Sequence, residues 1–438
     1  MTAFQHDGLL PFTDRNTALN MHILQLCPRV PFPPHDGGAI AMYGVAAGLV
    51  RAGHRVTLLA INTPKHRQPA DALVHLGPNL RLVTVEVDTD IAAGKALKNL
   101  LFSRQPYNVE RFISPAVGEK LLELLRAGDV DIVQMEGTFV AWYAELLGRQ
   151  HRADFRVPPL VLRAHNVEYT IWQMLARRAT NPLKRFFLGT MADRLEKFER
   201  RYLRQFDAVA AITEADAQRL RALHCPEPVV FIPAGVDLAR CQPDAAIVPK
   251  PRTLFMIGSL DWLPNQEGVE WLLREVWPTF HAEMPDVELH IAGRNAPAHL
   301  LAPRPDNVFM HGFVESAPAF MQQYELMLVP LLSGGGMRVK IIEGMALGKA
   351  ILSTTLGAEG IAVRDGHDIV LRDTAAAWLE ALRAWGRGEI PVRALGAAAA
   401  RTATAVYDNQ RVVQRFLALY EQLLLPAPAG TPAHSPPA

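Results

Sequence analysis

Short, continuous apolar runs recur along this chain between longer stretches with helical spacing, and that alternation restricts the fold more than any other feature. The runs are "HILQLC" 22–27, "RVTLLAI" 55–61, "LRLVTVEV" 80–87, "DIVQM" 131–135, "PLVLRA" 159–164, "AVAAI" 208–212 and "PVVFIP" 228–233. A strand apolar on both faces has to be covered on both faces. Strands separated by helices have the long crossovers that parallel pairing needs.

The stretch "GGAIAMYGVAAGLVRAGH", 37–54, supplies the first crossover helix, opened by glycines and closed by Gly53, which makes a Rossmann-like start. After the polar, Pro-containing connector "CQPDAAIVPKPR" the rhythm restarts with "TLFMIGS" 253–259, "VELHIAG" 287–293, "NVFMHG" 307–312, "LMLVPL" 326–331, "AILST" 350–354 and "DIVL" 368–371. The expectation is an α/β protein of two Rossmann-like lobes with a cleft between them: residues 21–240, a linker at 241–252, and residues 253–407. Apolar residues at helical spacing over 408–425 predict a final amphipathic helix, which by fold analogy returns across the hinge. Residues 1–20 read as an N-terminal extension. The Pro/Ala-rich stretch 426–438 has almost nothing to bury and reads as a disordered tail.

The 438 residues, 49% of them hydrophobic, are ample for two cores. Lys and Arg number 45 against 44 Asp and Glu, a net charge of +1, so nothing predicts a nucleic-acid partner bound through bulk charge. Cys27, Cys225 and Cys241 are odd in number and widely spaced, unlike a zinc site or a disulfide framework. No run reaches the roughly 18 apolar residues of a membrane span, and the N-terminus lacks the pattern of a secretory signal. A cytoplasmic location is expected.

In open parallel sheets ligands bind beyond the carboxyl ends of the strands, so the loops there are the candidate site. In "GSLDWLPNQEG", 258–268, Gly258 and Ser259 let the backbone approach an anion at a helix start, or serve a tight packing turn. "AGRNAP" and "HGFVES" form a second wall. A nucleobase there would lie against the backbone of Phe313 and Val314, with Gly293 and Arg294 beside it; each loop is also an ordinary strand-to-helix connection.

The most informative stretch is "LLSGGGMRVKIIEGMALGKAIL", 331–352. The "SGGG" turn lets amides such as those of Gly335, Gly336 and Met337 point into the cleft, and the unpaired N–H groups and positive end of a helix starting near Met337 suit a diphosphate. Arg338 and Lys340 have the wrong sign for that helix end, which calls for a compensating anion. Glu343 is read either as an i, i+3 ion pair with Lys340 or as the acceptor of two ribose hydroxyls.

In the first lobe "DGG", with Gly37 and Gly38, offers a phosphate-sized nest of amides but lacks the third glycine of a dinucleotide fingerprint. "LRAHNVEYTIW" puts Arg163, His165, Asn166 and Glu168 at the end of an apolar strand. The stretch 177–204 carries nine Lys/Arg against three Asp/Glu among Phe, Leu and Tyr. It reads as a solvated helix pair laced with ion pairs, or as a face resting on the inner membrane surface near a lipid-linked acceptor. No arrangement reads as a metal site, and no Ser or Cys sits in a nucleophile elbow.

Over about residues 21–425 the chain resembles the GT-B glycosyltransferases of family 4. The resemblance rests on "PFPPHDGGAIAMYGVAAGLVRAGHRVTLLAINT", "RAHNVEY", "GSLDWLPNQEG" and "GGGMRVKIIEGMALGKAILSTTLGAEGI". It implies a sugar-nucleotide donor, such as a UDP- or GDP-sugar, in the second lobe, and a glycan or lipid-linked acceptor in the first. Transfer is then expected with retention and without metal or other cofactor, in the synthesis of a surface polysaccharide or glycolipid. It assigns the nucleotide ribose to Glu343, the diphosphate to the helix near Met337, and a place beside the reacting sugar to His165. Two positions depart from the family pattern. Gly335 stands where a second glutamate is common, and Ser259 with "PNQEG" replaces an arginine and a lysine, a charge that Arg338 and Lys340 would supply. A sugar-nucleotide 2-epimerase of the same architecture and a catalytically silent binding subunit are the alternatives.

Overall fold

The computed structural model describes residues 20–150, 155–223, 228–301 and 305–425. The expected extension over 1–20, Asn20 apart, the tail over 426–438 and Cys225 lie outside the described residues. Every predicted strand forms, with ends moved by a few residues. In the first lobe β1 (His22–Cys27), β2 (Arg55–Asn62), β3 (Leu80–Glu86), β4 (Ile132–Glu136), β5 (Leu160–Ala164), β6 (Ala208–Ala211) and β7 (Val229–Phe231) pair in parallel in the order β3-β2-β1-β4-β5-β6-β7. The second lobe holds β8 (Lys250–Ile257), β9 (Glu288–Ala292), β10 (Val308–Gly312), β11 (Tyr324–Val329), β12 (Ala350–Ser353) and β13 (Val370–Leu371). Their order is β10-β9-β8-β11-β12-β13, again parallel. Because β8 opens at Lys250, the expected linker 241–252 loses its last three residues to the sheet.

Each sheet is covered on both faces, as the apolar runs require. In the first lobe one face packs Leu24, Leu26, Val133 and Met135 under the helices that follow β3 and β4. The other packs Ile23, Ile132, Val161 and Ala208. That second face is completed by the last helix among the described residues, Asn409–Leu424, through Val412, Val413, Phe416 and Tyr420. Asp408 caps it by accepting from the Gln410 amide at 3.0 Å. The helix therefore returns from the second lobe to the first. The two passages run side by side at the hinge, where Val236 N–H donates to Tyr407 at 2.8 Å and Asn409 N–H donates to Val236 at 3.0 Å.

The strand orders fix where a ligand can sit. Chain direction away from the first strand reverses between β1 and β4 in the first sheet, and between β8 and β11 in the second. Loops leaving neighbouring strands to opposite faces open a crevice at these two points. The loop after β8 begins at Gly258 and the loop after β11 contains "SGGG". Both lie at the second lobe's switch point and face the first lobe.

Candidate active site

The loop after β11 leads into the helix Val339–Ala346, with Arg338 at its N-cap, two residues later than the sequence pattern predicts. The helix turns Val339, Ile341, Ile342 and Met345 into the core, which leaves Lys340 and Glu343 toward the cleft side. The i, i+3 pair between them does not form. Lys340 Nζ donates instead to Asn265 Oδ1 at 2.9 Å, and among the described residues Glu343 has no side-chain hydrogen bond or ion pair.

Burial sets the charge of both. It pushes the Lys340 ammonium down to about 7, helped by the Arg338 charge. It pushes the Glu343 carboxyl up to about 7 against the pull of Arg240. Arg338 is 5% exposed, and burial brings it down to about 10. Its Nη1 donates to the carbonyls of Gly335 and Gly336, and its guanidinium lies 5.3 Å from the Trp262 ring centroid. Its Nε and Nη2 are buried with no partner among the described residues. Such an arrangement is costly without an anion and matched to one.

The loop after β8 closes around the same point. Gly258 has φ +154, and a Cβ there would stand 2.7 Å from Asn265 Nδ2 and 3.0 Å from Lys340 Nζ. Glycine is what lets the Lys340–Asn265 pair reach this backbone. Ser259 accepts from Arg294 Nε at 2.9 Å, and Gly293 packs directly on the Gly258 carbonyl. Arg294 also reaches across the cleft to Asp36, Nη2 to Oδ2 at 3.5 Å. The loop expected to wall a nucleobase also meets the first lobe. Phe313 is exposed and sets its ring edge-on to His35 of the first lobe at 5.5 Å, while Val314 and Met337 are half-buried against the core.

From the first lobe, Asp36 caps the helix Gly37–Arg51, accepting from Ala39 N–H at 3.1 Å. Gly37 faces Val339 across the cleft: a Cβ there would lie 3.4 Å from Val339 Cγ2. Gly38 faces Arg29, which pairs with Asp36. A Cβ on Gly335 would stand 2.9 Å from Ile171 Cγ1, and one on Gly336 would collide with Asn166 Oδ1. The position where a glutamate is expected is thus filled from the opposite lobe. A cavity of about 350 Å³ lies between the lobes here, walled by Asn166, Thr170 and Arg177 on one side and Gly334, Gly335 and Glu359 on the other.

His165 stands just past the end of β5. Its Nε2 lies 2.7 Å from Glu136 Oε2. Glu136, the last residue of β4, is buried. Burial alone would raise its carboxyl, but His165, Arg163 and Gln134 outweigh that and hold it below the usual carboxylate range.

Arg163 is a correction. Read from the sequence as an acceptor-side residue, it is 0% exposed, donates to the Pro233 carbonyl at 3.2 Å and lies 4.7 Å from the Phe416 ring centroid. Side chains alternate along a strand, so Arg163 points under the C-terminal helix, away from the cleft. Residues that the sequence reading passed over are Glu136, Asn265 and Trp262. For Glu136 the signal was available, a lone carboxylate closing an apolar strand in "DIVQMEG".

Comparison with known proteins agrees with the two-lobe architecture. The family model Glycosyltransferase Family 4 matches residues 35–240, and the model Glycosyl transferases group 1 matches residues 251–385. A phosphatidyl-myo-inositol mannosyltransferase of Mycolicibacterium smegmatis is 24% identical over 358 residues, 79% of each chain. An uncharacterized 44.6 kDa protein from the cps region of Klebsiella pneumoniae is 23% identical over 227 residues. That match takes in 48% of this chain and spans about half, 55%, of the Klebsiella protein. Among solved structures, Anabaena HepE in complex with UDP superposes with a TM-score of 0.64 at 13% identity, over 92% of this chain and 100% of that one. Sucrose-phosphate synthase from Thermosynechococcus elongatus superposes with a TM-score of 0.67 at 17% identity, over 92% and 99%. Two lobes with parallel sheets, a cleft at their switch points and family models matching both lobes lead to one conclusion: the chain belongs to the GT-B glycosyltransferases of family 4.

Proposed function

We propose that this protein transfers a sugar from a nucleoside diphosphate sugar to a glycan or lipid-linked hydroxyl acceptor. The observation that carries the reading is the set on one helix start. Arg338 has two buried nitrogens without a partner, Lys340 is reached by the loop after β8, and Glu343 is a half-buried carboxylate with no side-chain partner among the described residues. Two cations and a helix N-terminus suit a diphosphate, and one free carboxylate suits a ribose diol.

In this reading Arg338 and Lys340 meet the charge that develops on the departing diphosphate, the main source of rate acceleration without a metal ion or other cofactor. The acceptor enters the cavity beside Asn166 and Arg177, His165 lies near the reacting sugar, and the two lobes exclude water. The likeness to family 4 supports retention at the anomeric carbon, and NMR of the product anomer tests it. The UDP in the HepE complex makes a UDP-sugar the first donor to try.

We assign the acceptor to a surface polysaccharide or glycolipid pathway, met at the inner membrane face. The Mycolicibacterium relative's name couples mannosyl transfer to a phosphatidylinositol. The helix Pro182–Tyr202 exposes Leu183 and Phe186 beside Lys184 and Arg185, an apolar-and-basic edge that fits an anionic bilayer. Further along it the ion pairs expected of a solvated helix do form, Arg200 with Glu196 at 2.9 Å and Arg201 with Glu145 at 2.8 Å. Among the described residues no helix is long and apolar enough to cross a membrane.

The test is thermal-shift screening against UDP, GDP and their sugars, followed by transfer assays with the donors that bind. Absence of any stabilisation by nucleotides or nucleotide sugars would end the donor reading. Sedimentation with anionic vesicles, lost in a Leu183→Ser/Phe186→Ser variant, tests the membrane edge.

A further inference from the structure

Behind His165 lies a chain of buried polar groups that the transfer reading does not use, and its hydrogen bonds converge on Glu136. Tyr420, on the C-terminal helix, donates its hydroxyl proton to Gln134 Oε1. That fixes the Gln134 amide with its NH2 toward Glu136 Oε1, 2.5 Å away. Gln25 presents its NH2 to the same oxygen at 2.7 Å and to the Met42 carbonyl at 3.2 Å, so its amide is fixed as well. Glu136 Oε2 is left to face His165 Nε2 at 2.7 Å and Arg163 Nε at 3.9 Å. Gln25, Gln134, Glu136 and Arg163 come from three neighbouring strands, β1, β4 and β5, and each is at most 1% exposed.

Two amide donors on one oxygen and a cation near the other make Glu136 an acceptor throughout. His165 Nε2 must then be the donor. The remaining nitrogen, Nδ1, has no protein partner among the described residues. The His165 side chain is 18% exposed while Glu136 is wholly buried, so the ring reaches the cleft by its edge away from Glu136. The other titratable groups packed on this chain are Cys27 at the end of β1, Arg163 and Tyr420. Burial pushes both the Cys27 thiol and the Tyr420 phenol well up, and keeps them neutral.

We propose that Tyr420, Gln134 and Gln25 are positioning residues that, through Glu136, hold His165 in its Nε2–H form and offer Nδ1 to the substrate as a hydrogen-bond or proton acceptor. The C-terminal helix thereby sets the proton arrangement of a residue in the cleft of the other end of the chain. The use of Nδ1 in transfer rests on the function proposed above; the proton arrangement itself does not.

The experiment uses the full chain labelled with 15N-histidine, with His165 assigned by its loss in His165→Asn. The wild type should show a protonated Nε2 and an unprotonated Nδ1. In Glu136→Gln the oxygen stays toward the two amide donors and the new NH2 turns to His165. Nε2 then has to accept, and the ring proton moves to Nδ1. That inversion should lower kcat by on the order of 10²- to 10⁴-fold with little change in donor KM. Tyr420→Phe keeps the ring packing but frees the Gln134 amide. It should give a mixed tautomer and a several-fold lower kcat.

A Glu136→Gln protein that keeps Nε2–H overturns the assignment. So does a Tyr420→Phe protein with both tautomer and kcat unaltered. Inversion in a protein that transfers no sugar would support the assignment and sink the transfer reading, so the two failures are told apart.

Discussion

Lys340 Nζ donates to Asn265 Oδ1 at 2.9 Å and makes no ion pair with Glu343, one turn further along the same helix. In solution-exposed helices such a Lys and Glu would neutralise each other. Here each is left for something outside the protein, and burial holds both near the midpoint of their titration, about 7 in either case.

Donor binding should therefore be linked to protons, with a sign that changes with pH. A sugar nucleotide keeps both phosphates ionised through this range. It raises the affinity of Lys340 for its proton, while hydroxyls on Glu343 favour the ionised carboxylate. Well above 7 Glu343 is already ionised and Lys340 neutral, so binding takes up a proton. Well below 7 Lys340 is already charged and Glu343 protonated, so binding releases one. Calorimetry in buffers of different ionisation enthalpy reads this directly, and Lys340→Met should abolish the uptake and keep the release.

Arg338 is expected to trade stability for binding. A buried guanidinium with two unpartnered nitrogens is unfavourable in the free protein. Arg338→Met should raise the ligand-free Tm and remove the Tm increase produced by donor. Arg338→Lys should weaken donor binding by about tenfold or more, because a point charge cannot replace two directed N–H groups. Affinity for the nucleoside alone should barely move.

Gly335 and Gly336 should respond differently to alanine. Gly336 has φ +78 and faces Asn166, so Gly336→Ala meets backbone strain of about 1–2 kcal/mol as well as a collision across the cleft. Gly335 lacks the strained backbone and meets only the Ile171 side chain. Gly335→Ala should thus be rescued by Ile171→Ala, and Gly336→Ala should not. A double-mutant cycle on donor affinity measures the difference.

Gly48 is the seat of the returning helix. A Cβ there would overlap Val413 Cγ2 and approach Asn409 Nδ2 at 2.9 Å. Gly48→Ala should cost about 1–3 kcal/mol by overpacking, read as a lower Tm, and Val413→Ala should recover most of it.

Much of the fold was legible because a parallel sheet buried on both faces leaves a plain trace, unbroken apolar runs such as "HILQLC" and "AVAAI". The helix of Arg338, Lys340 and Glu343 was legible for the opposite reason, since charges on an otherwise apolar helix have few structural uses. What stayed hidden depends on where side chains point across space. Arg163 and His165 are two residues apart, yet one lies under the C-terminal helix and the other beside the cleft. Nothing in "DIVQMEG" says that Glu136 meets a histidine 29 positions later, or that Lys340 would find Asn265 rather than its own helix neighbour.

The C-terminal helix also bears on the order in which the molecule can be built. One face of the first lobe's sheet stays without Val412, Val413, Phe416 and Tyr420 until those residues have left the ribosome. By then the whole second lobe has been synthesised. The first half of the chain waits for the last, with apolar surface open and the Gln134–Glu136 pair uncapped, and only docking of the final helix closes it. Assembly of the cleft is thereby tied to synthesis through the helix that carries Tyr420: a chain that stops short of it would leave the first lobe, not the second, unfinished.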